Sequence, residues 1–375
     1  MKTLFPLILL ILLSFNSCAQ PVSAVRGVWL TNVDSDVLLS RERIVEAVEL
    51  LDRLNFNTIF VVTWNKGYTL YPSATMKKHF GIEMDTLYTG RDPLKELIEE
   101  AHKRNMKVIA WFEFGFAASY NRDGGHIIAK YPEWKAMDRK GELLDKGNFE
   151  WMNAFLPEVQ EFMLSLITEV VANYDIDGIQ GDDRLPALPV EGGYDPYTVE
   201  LYKKAHNGNT PPNDFRDPDW IQWRADLLTK YSKDIYDKVK SINKNVIVSM
   251  SPSIHPWAKE EYLQDWPAWV QQGSVELVIP QLYRYNIEAY KELLDEIVGK
   301  QVPQENMGKF FPGVLIKVGK YQPDEKFLRQ MIELNRKAGI NGEVFFFYEG
   351  LKKYGETFWK EIYKEKAKFP DLLLK

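Results

Sequence analysis

From Val25 onward the chain alternates eight times between two patterns: a short run rich in Val, Ile and aromatic residues, and a longer stretch with apolar residues at helical spacing. No other feature of the sequence narrows the fold as much. The strand-like runs are VRGVWLT (25–31), NTIFVVTW (57–64), KVIAWFEF (107–114), the start of IDGIQGDD (176–183), VIVSMS (246–251), VELVIPQLY (275–283), FFPGVLI (310–316) and EVFFFYE (343–349). Helical patterns follow them at 41–54, 93–104, 157–173, 219–242, 265–272, 287–298, 324–338 and 351–366. Strands alternating with helices build a parallel sheet, and eight such units predict a closed (β/α)8 TIM barrel rather than an open, doubly wound sheet. No Gly-x-Gly-x-x-Gly follows the first strand, which counts against a dinucleotide-binding fold. With 375 residues, 45% of them hydrophobic, the chain can bury a large core. No internal repeat or Gly/Ser-rich linker divides it. The expectation is one α/β barrel domain over residues 25–375.

The first residues, MKTLFPLILLILLSFNSCAQ, read differently. One Lys precedes an apolar stretch too short and wrongly flanked for a stable spanning helix, the pattern of a secretory signal. Cys18, the only cysteine, follows that stretch as in a bacterial lipoprotein cleavage site. Residues 1–17 are then a lipoprotein signal peptide, Cys18 the lipid-attachment residue and 18–24 a short tether. This implies a protein anchored to a membrane of the bacterial cell envelope; plain secretion is the alternative. A lone cysteine makes no intramolecular disulfide, so the core alone must stabilise the domain.

Net charge is −6 with no basic run, so the footprint of a nucleic-acid binder is missing. In a barrel the chemistry sits at the C-terminal ends of the strands. The polar and aromatic residues there are Trp29, Thr31 and Asn32; Trp64 and Asn65; Trp111 and Glu113; Asp182 and Asp183; Ser249, Ser251 and His255; Gln281, Tyr283 and Arg284; Lys317; and Glu349. Acids, amides and aromatics converging on one rim suit a polyhydroxylated substrate, with Trp29, Trp64, Asn65, Trp111, His255, Gln281, Tyr283 and Glu349 as candidate substrate-binding residues. Two strand-to-helix loops are long, 114–156 and 184–218, and long loops in a compact domain tend to be functional.

Side-chain alternation separates the two adjacent aspartates. Gln180 and Asp182 share one face of their strand and Ile179 and Gly181 the other. The polar face belongs at the barrel mouth, which makes Asp182 the better catalytic candidate. Asp183 then sits in the turn, either as a second acid or as a structural ion pair with Arg184. The same parity groups Trp111 with Glu113. Glycoside hydrolysis needs two carboxyl groups, and the candidates to stand opposite Asp182 are Glu113, Asp265, Asp183 and Glu349. Asp265 could instead cap a short helix, and Glu349 could simply end its strand. The five histidines show no metal-ligand spacing, so no metal is expected. No Gly-x-Ser-x-Gly elbow is present.

RGVWLT, NTIFVVTW followed by LYPSA, DPLKELIEEAHKRNMKVIAWFEF, IDGIQGDD, VSMSPS and LVIPQLY fall in order over residues 25–316. Together they resemble the glycosyl-hydrolase-like family 10 of bacterial envelope TIM-barrel proteins. The strand ending in Asp182 also resembles the fourth strand of the α-amylase superfamily, whose final Asp is the nucleophile. The resemblance implies a glycosidase that needs no cofactor and acts on an envelope or environmental polysaccharide, with peptidoglycan glycan strands one candidate. The chain departs from the family pattern at Glu113, at Gln180 and Gly181, and at Arg284. A non-catalytic glycan-binding barrel lipoprotein is the competing expectation.

Overall fold

A computed structural model describes residues 22–373 of the chain. The signal segment and Cys18 lie outside the described residues. Eight parallel strands form one sheet: β1 (Val25–Leu30), β2 (Thr58–Val62), β3 (Lys107–Trp111), β4 (Gly178–Gly181), β5 (Ile247–Met250), β6 (Leu277–Val278), β7 (Gly313–Leu315) and β8 (Gly342–Phe346). Their order is β6-β5-β4-β3-β2-β1-β8-β7, with Val28 of β1 facing Ile59 of β2 on one side and Phe345 of β8 on the other. The sheet curls until its edges meet. Parallel bridges pair Val278 with Phe310 and Gln281 with Gly313, and Phe311 N donates to the Val278 carbonyl at 3.1 Å.

The helices on the outside are α1 (Arg41–Arg53), α2 (Pro93–His102), α3 (Pro157–Asn173), α4 (Pro218–Ile242), α5 (Trp266–Gln271), α6 (Ile287–Glu296), α7 (Glu325–Lys337) and α8 (Gly355–Ile362). Their starts follow local chemistry. The side chains of Ser40, Asp92, Asp217, Asn286 and Asp324 each accept a hydrogen bond from the backbone of the first turn, and Pro occupies that turn in α2, α3, α4 and α5. Two expected elements come out shorter. The strand expected at 275–283 is regular only over Leu277–Val278, because Pro280, with no N–H for the ladder, interrupts it before the bridge at Gln281. The helix expected over 351–366 is a 3-10 turn, Tyr348–Tyr354, followed by α8 from Gly355, whose φ of +70° interrupts a continuous helix.

The interior of the curl is filled by side chains. Trp29 packs against Phe60, Trp111 and Phe346, and its indole N–H donates to Gln180 Oε1 at 2.7 Å. Gln180 in turn donates to Ser249 Oγ at 2.9 Å. Across the mouth the two long loops have structure of their own. The first holds an antiparallel sheet of Ala117–Tyr120, Phe149–Trp151 and Asp145–Lys146, and the second a helix, Pro196–Ala205. Arg224 of α4, completely buried, ties the second loop down by donating to the carbonyls of Val190, Gly192 and Phe215.

Candidate active site

Glu113 follows β3 and Asp182 follows β4, two strands paired side by side. Parallel strands in register carry their following residues to neighbouring points on the mouth, and the first turns of the two loops then close together. Gly115 has φ +47°, and a Cβ there would stand 2.1 Å from the Arg184 carbonyl. Gly181 is equally confined, with a would-be Cβ 2.3 Å from the Leu185 carbonyl. Glycine at 115 lets the two loop backbones touch, glycine at 181 lets the second loop fold back over its own strand, and Phe116 N donates to Arg184 O at 3.0 Å.

That approach delivers Arg184 into a cluster of three acids. Its Nη2 lies 3.0 Å from Asp182 Oδ2 and 3.9 Å from Glu113 Oε1, and its Nη1 lies 3.0 Å from Asp183 Oδ1. Its Nε donates to the Glu113 carbonyl at 2.8 Å, and the guanidinium rests 4.8 Å above the Phe149 ring. The Asp183 contact lacks hydrogen-bond alignment, so it is a charge contact only. Asp182 is only 2% exposed and well supplied with donors. Oδ1 accepts from Arg184 N at 3.0 Å and Oδ2 from Trp111 Nε1 at 3.2 Å as well as from the guanidinium. Its carbonyl accepts from Gln264 at 2.8 Å.

Glu113 is solvated differently. Oε2 accepts from Asn65 Nδ2 at 2.5 Å and from Thr31 Oγ1 at 3.4 Å, both neutral donors. Burial raises the Glu113 pKa; Arg184 and the Asn65 hydrogen bond pull it down, and Asp183 pushes it up again. Burial raises the pKa of Asp182 strongly, opposed by Arg184 and reinforced by Asp183 and Glu113. Three carboxyls around one guanidinium cannot all ionise cheaply, so the cluster retains a proton above the ordinary carboxyl range. The guanidinium and two N–H groups oppose that rise at Asp182, whereas the hydrogen bonds to the Glu113 carboxyl come from neutral donors. A cleft of about 320 Å³ opens beside Glu113, lined by Thr31, Lys66, Tyr120, Phe149 and Phe346 among others.

The other sequence candidates divide. Tyr283 stands near the cluster: its hydroxyl pKa is raised strongly by burial and by Asp183, Asp182 and Glu113, and its ring lies 5.6 Å from Phe346. Gln281 spends its amide on the Ser251 carbonyl. Two tryptophans do not reach the cleft. Trp29 is sealed in the interior, and Trp64, fully buried, turns outward to donate to Gly115 O at 3.0 Å and pack on Phe162 of α3. Asp265 is not drawn into the cluster. Its carboxylate pairs with Lys259 at 2.8 Å and stands 3.6 Å from His255, and it does not cap α5. Glu349 lies past β8, accepting from Ser35 Oγ and pairing with Lys352. Arg284 donates to the Tyr283 carbonyl and Lys317 to the Gly319 carbonyl. Sequence reasoning understated Arg184, whose position directly after two aspartates was the available signal. It missed Phe149, which a separate small sheet brings in and no local pattern announces. Among the described residues no group of three or more His, Cys, Asp or Glu is arranged to hold a metal ion, and no helix is long and apolar enough to cross a membrane.

Comparison with known proteins places the chain in a family. Glycosyl hydrolase DigH of Escherichia coli (strain K12) is 26% identical over 292 residues, covering 70% of this chain and 62% of DigH, so the chain spans less than two thirds of that relative. Glycosyl hydrolase YngK of Bacillus subtilis (strain 168) is 23% identical over 404 residues, covering 96% of this chain and 75% of YngK. The glycoside hydrolase domain of PgaB (BpsB) from Bordetella bronchiseptica superposes with a TM-score of 0.69 at 13% identity, covering 92% of this chain and all of that domain. The catalytic domain of β-amylase from Paenibacillus polymyxa gives 0.62 at 11%, covering 91% of this chain and 98% of that domain. These two likenesses speak to the fold. The sequence profile described as glycosyl hydrolase-like 10 matches residues 24–313, more than three quarters of the chain, and the protein therefore belongs to the glycosyl hydrolase-like 10 family.

Proposed function

We propose that the chain is a glycoside hydrolase with a closed (β/α)8 barrel, anchored to the bacterial envelope through Cys18. Its substrate is an envelope or environmental polysaccharide, with peptidoglycan glycan strands the first to test. The observation that carries this reading is the pair of buried carboxyls from neighbouring strands in different states of solvation. Glu113, among neutral donors and beside the cleft, is the acid that protonates the glycosidic oxygen. Asp182, as the anion, attacks the anomeric carbon or activates water. Arg184 lies within 3.0 Å of one carboxyl and 3.9 Å of the other, so the two oxygens it faces are at most about 7 Å apart, an upper bound that admits the separation of about 5–5.5 Å used by retaining glycosidases. Arg184 is a positioning residue that fixes Asp182, and no cofactor is needed.

Reducing ends released from purified sacculi and from a polysaccharide panel test the reading. Wild type should release them from at least one, and Asp182→Asn and Glu113→Gln should each lose roughly 10²-fold or more in kcat. A wild-type protein that cleaves none of them would overturn the hydrolase assignment. One observation favours a second reading, a non-catalytic glycan binder: Asp182 is only 2% exposed beneath Arg184. That reading predicts retention of wild type and Asp182→Asn alike on a glycan neither one cuts.

A further inference from the structure

Four aromatic side chains are markedly exposed among the described residues, and all four lie in the strand-to-helix connections of consecutive units: Tyr120 after β3, Tyr197 after β4, Trp257 after β5 and Tyr285 after β6. None sits on the helical wall or at the N-terminal face. Rings of this size bury themselves where they can, and three of the four connect to the acid cluster through a chain of contacts. Tyr120 lines the cleft of Glu113 and packs on Phe149, the ring beneath Arg184. Tyr285 is 66% exposed and stands edge-on to Tyr321, 4.8 Å away at 78°. Tyr321 pairs through its backbone with Val318, which lines the same cleft. On another side, Trp257 is 44% exposed with its ring 5.4 Å from that of Tyr262. The Tyr262 carbonyl holds Leu188 N at 3.1 Å, in the loop that Asp182 begins. Burial, and after it the charge of Asp183, pushes the Tyr262 hydroxyl pKa up to about 12.

We propose that the cleft beside Glu113 continues as a groove to Tyr285 in one direction and Trp257 in the other, and that these two rings carry pyranose units of one glycan chain. The enzyme then cuts within a polymer. The inference rests on the hydrolase reading. A pyranose presents a face of C–H bonds to a ring while its hydroxyls stay in water, which is the contact a half-exposed Tyr or Trp offers. Each ring is also braced by a second aromatic, so little side-chain freedom is lost on binding. Tyr285 is flanked by Arg284 and Asn286, and Trp257, next to Pro256 and Ala258, is followed in its helical turn by Lys259 and Glu260. The rings are therefore separate platforms, not one apolar patch of the kind a protein partner covers.

The test compares Trp257→Ala and Tyr285→Ala with wild type on the cleaved polymer and on a short aryl glycoside of the same sugar. Each variant should lower the ratio of polymer to short-substrate kcat/KM by about three- to ten-fold, mainly through KM. Trp257→Phe and Tyr285→Phe should restore most of it. Wild type should yield mixed chain lengths from the first minutes. An unchanged ratio, or only mono- or disaccharides from the outset, would overturn the proposal while leaving a hydrolase. If no substrate is cut at all, retention of the full chain in polysaccharide-containing gels reads the platforms directly. Loss of retardation in both Ala variants supports them; equal retardation of wild type and variants, or none for any, refutes them.

Discussion

Asn65 shows how the site is tuned by single atoms. It is 2% exposed, its Nδ2 donates to Glu113, and its Oδ1 has no hydrogen-bond partner among the described residues. A buried acceptor left unpaired is costly, so its contribution to folding is small and its contact with Glu113 is what distinguishes it. That hydrogen bond pulls the Glu113 pKa down. Asn65→Ala should therefore move the alkaline limb of the pH–rate profile upward, because a Glu113 with a higher pKa stays protonated longer. It should also lower kcat by roughly ten-fold through lost alignment. A profile with both limbs unmoved would refute this. Glu113 also predicts a stability effect. Its folded-state pKa is raised, so the native protein holds that proton more tightly than the unfolded chain does, and stability falls as pH rises through the folded pKa. Glu113→Gln should accordingly raise the melting temperature by about 2 °C at pH 8 and leave it nearly unchanged at pH 4. Thermal melts at the two pH values check the sign.

At the scale of elements, the loops after β3 and β4 act as one unit because their backbones cross at Gly115 and Arg184. Gly115→Ala places a Cβ 2.1 Å from a carbonyl oxygen that cannot step aside, at a φ of +47°. Arg184 must shift, and with it the brace on Asp182. Such a change should cost about 2 kcal/mol of stability or more and at least ten-fold in kcat, read from denaturant melts and initial rates. Arg184→Lys separates brace from charge: an ammonium keeps the charge but cannot span three acids as a guanidinium does, so activity should fall with only a modest loss of stability. The elements themselves were legible. Alternation placed all eight strands, and capping residues such as Asp92 and Asp217 marked helix starts that the structure contains. Parity on β4 correctly grouped Gln180 with Asp182, since both residues point away from the helices. Reading Trp64 as the end of its strand misled, because β2 ends at Val62 and the chain turns into a hairpin, Trp64–Asn65 with Tyr68–Thr69. Which acid faces which could not be read from the strands alone. The answer depends on Gly115, Arg184 and Phe149, which meet only when two long loops pack together.

Over the whole molecule, the buried charges divide between the two ends of the curled sheet. At the start of β8 Glu343 is completely buried, held by both guanidinium nitrogens of Arg336 at 2.8 and 2.9 Å, by Asn335 at 3.1 Å and by the Tyr363 hydroxyl. This network staples α7 and the segment after α8 to the sheet at its N-terminal end, where the chain also closes on itself through Ala24 N and the Lys368 carbonyl. Position on that face of such a barrel speaks for stability, as position on the mouth speaks for chemistry. Removing one partner strands the other: Glu343→Ala leaves Arg336 with no carboxylate, and Arg336→Ala leaves a buried charge. Each should cost about 3–5 kcal/mol while KM and the pH–rate profile stay as in wild type. Because the network shares no side chain with Glu113, Asp182 or Arg184, the stability change of Glu343→Ala should add to that of Asp182→Asn within about 0.5 kcal/mol. A double-mutant cycle in denaturant measures this directly. Strong coupling would mean that the strands transmit strain from one end of the barrel to the other, and that the division between the two faces does not hold.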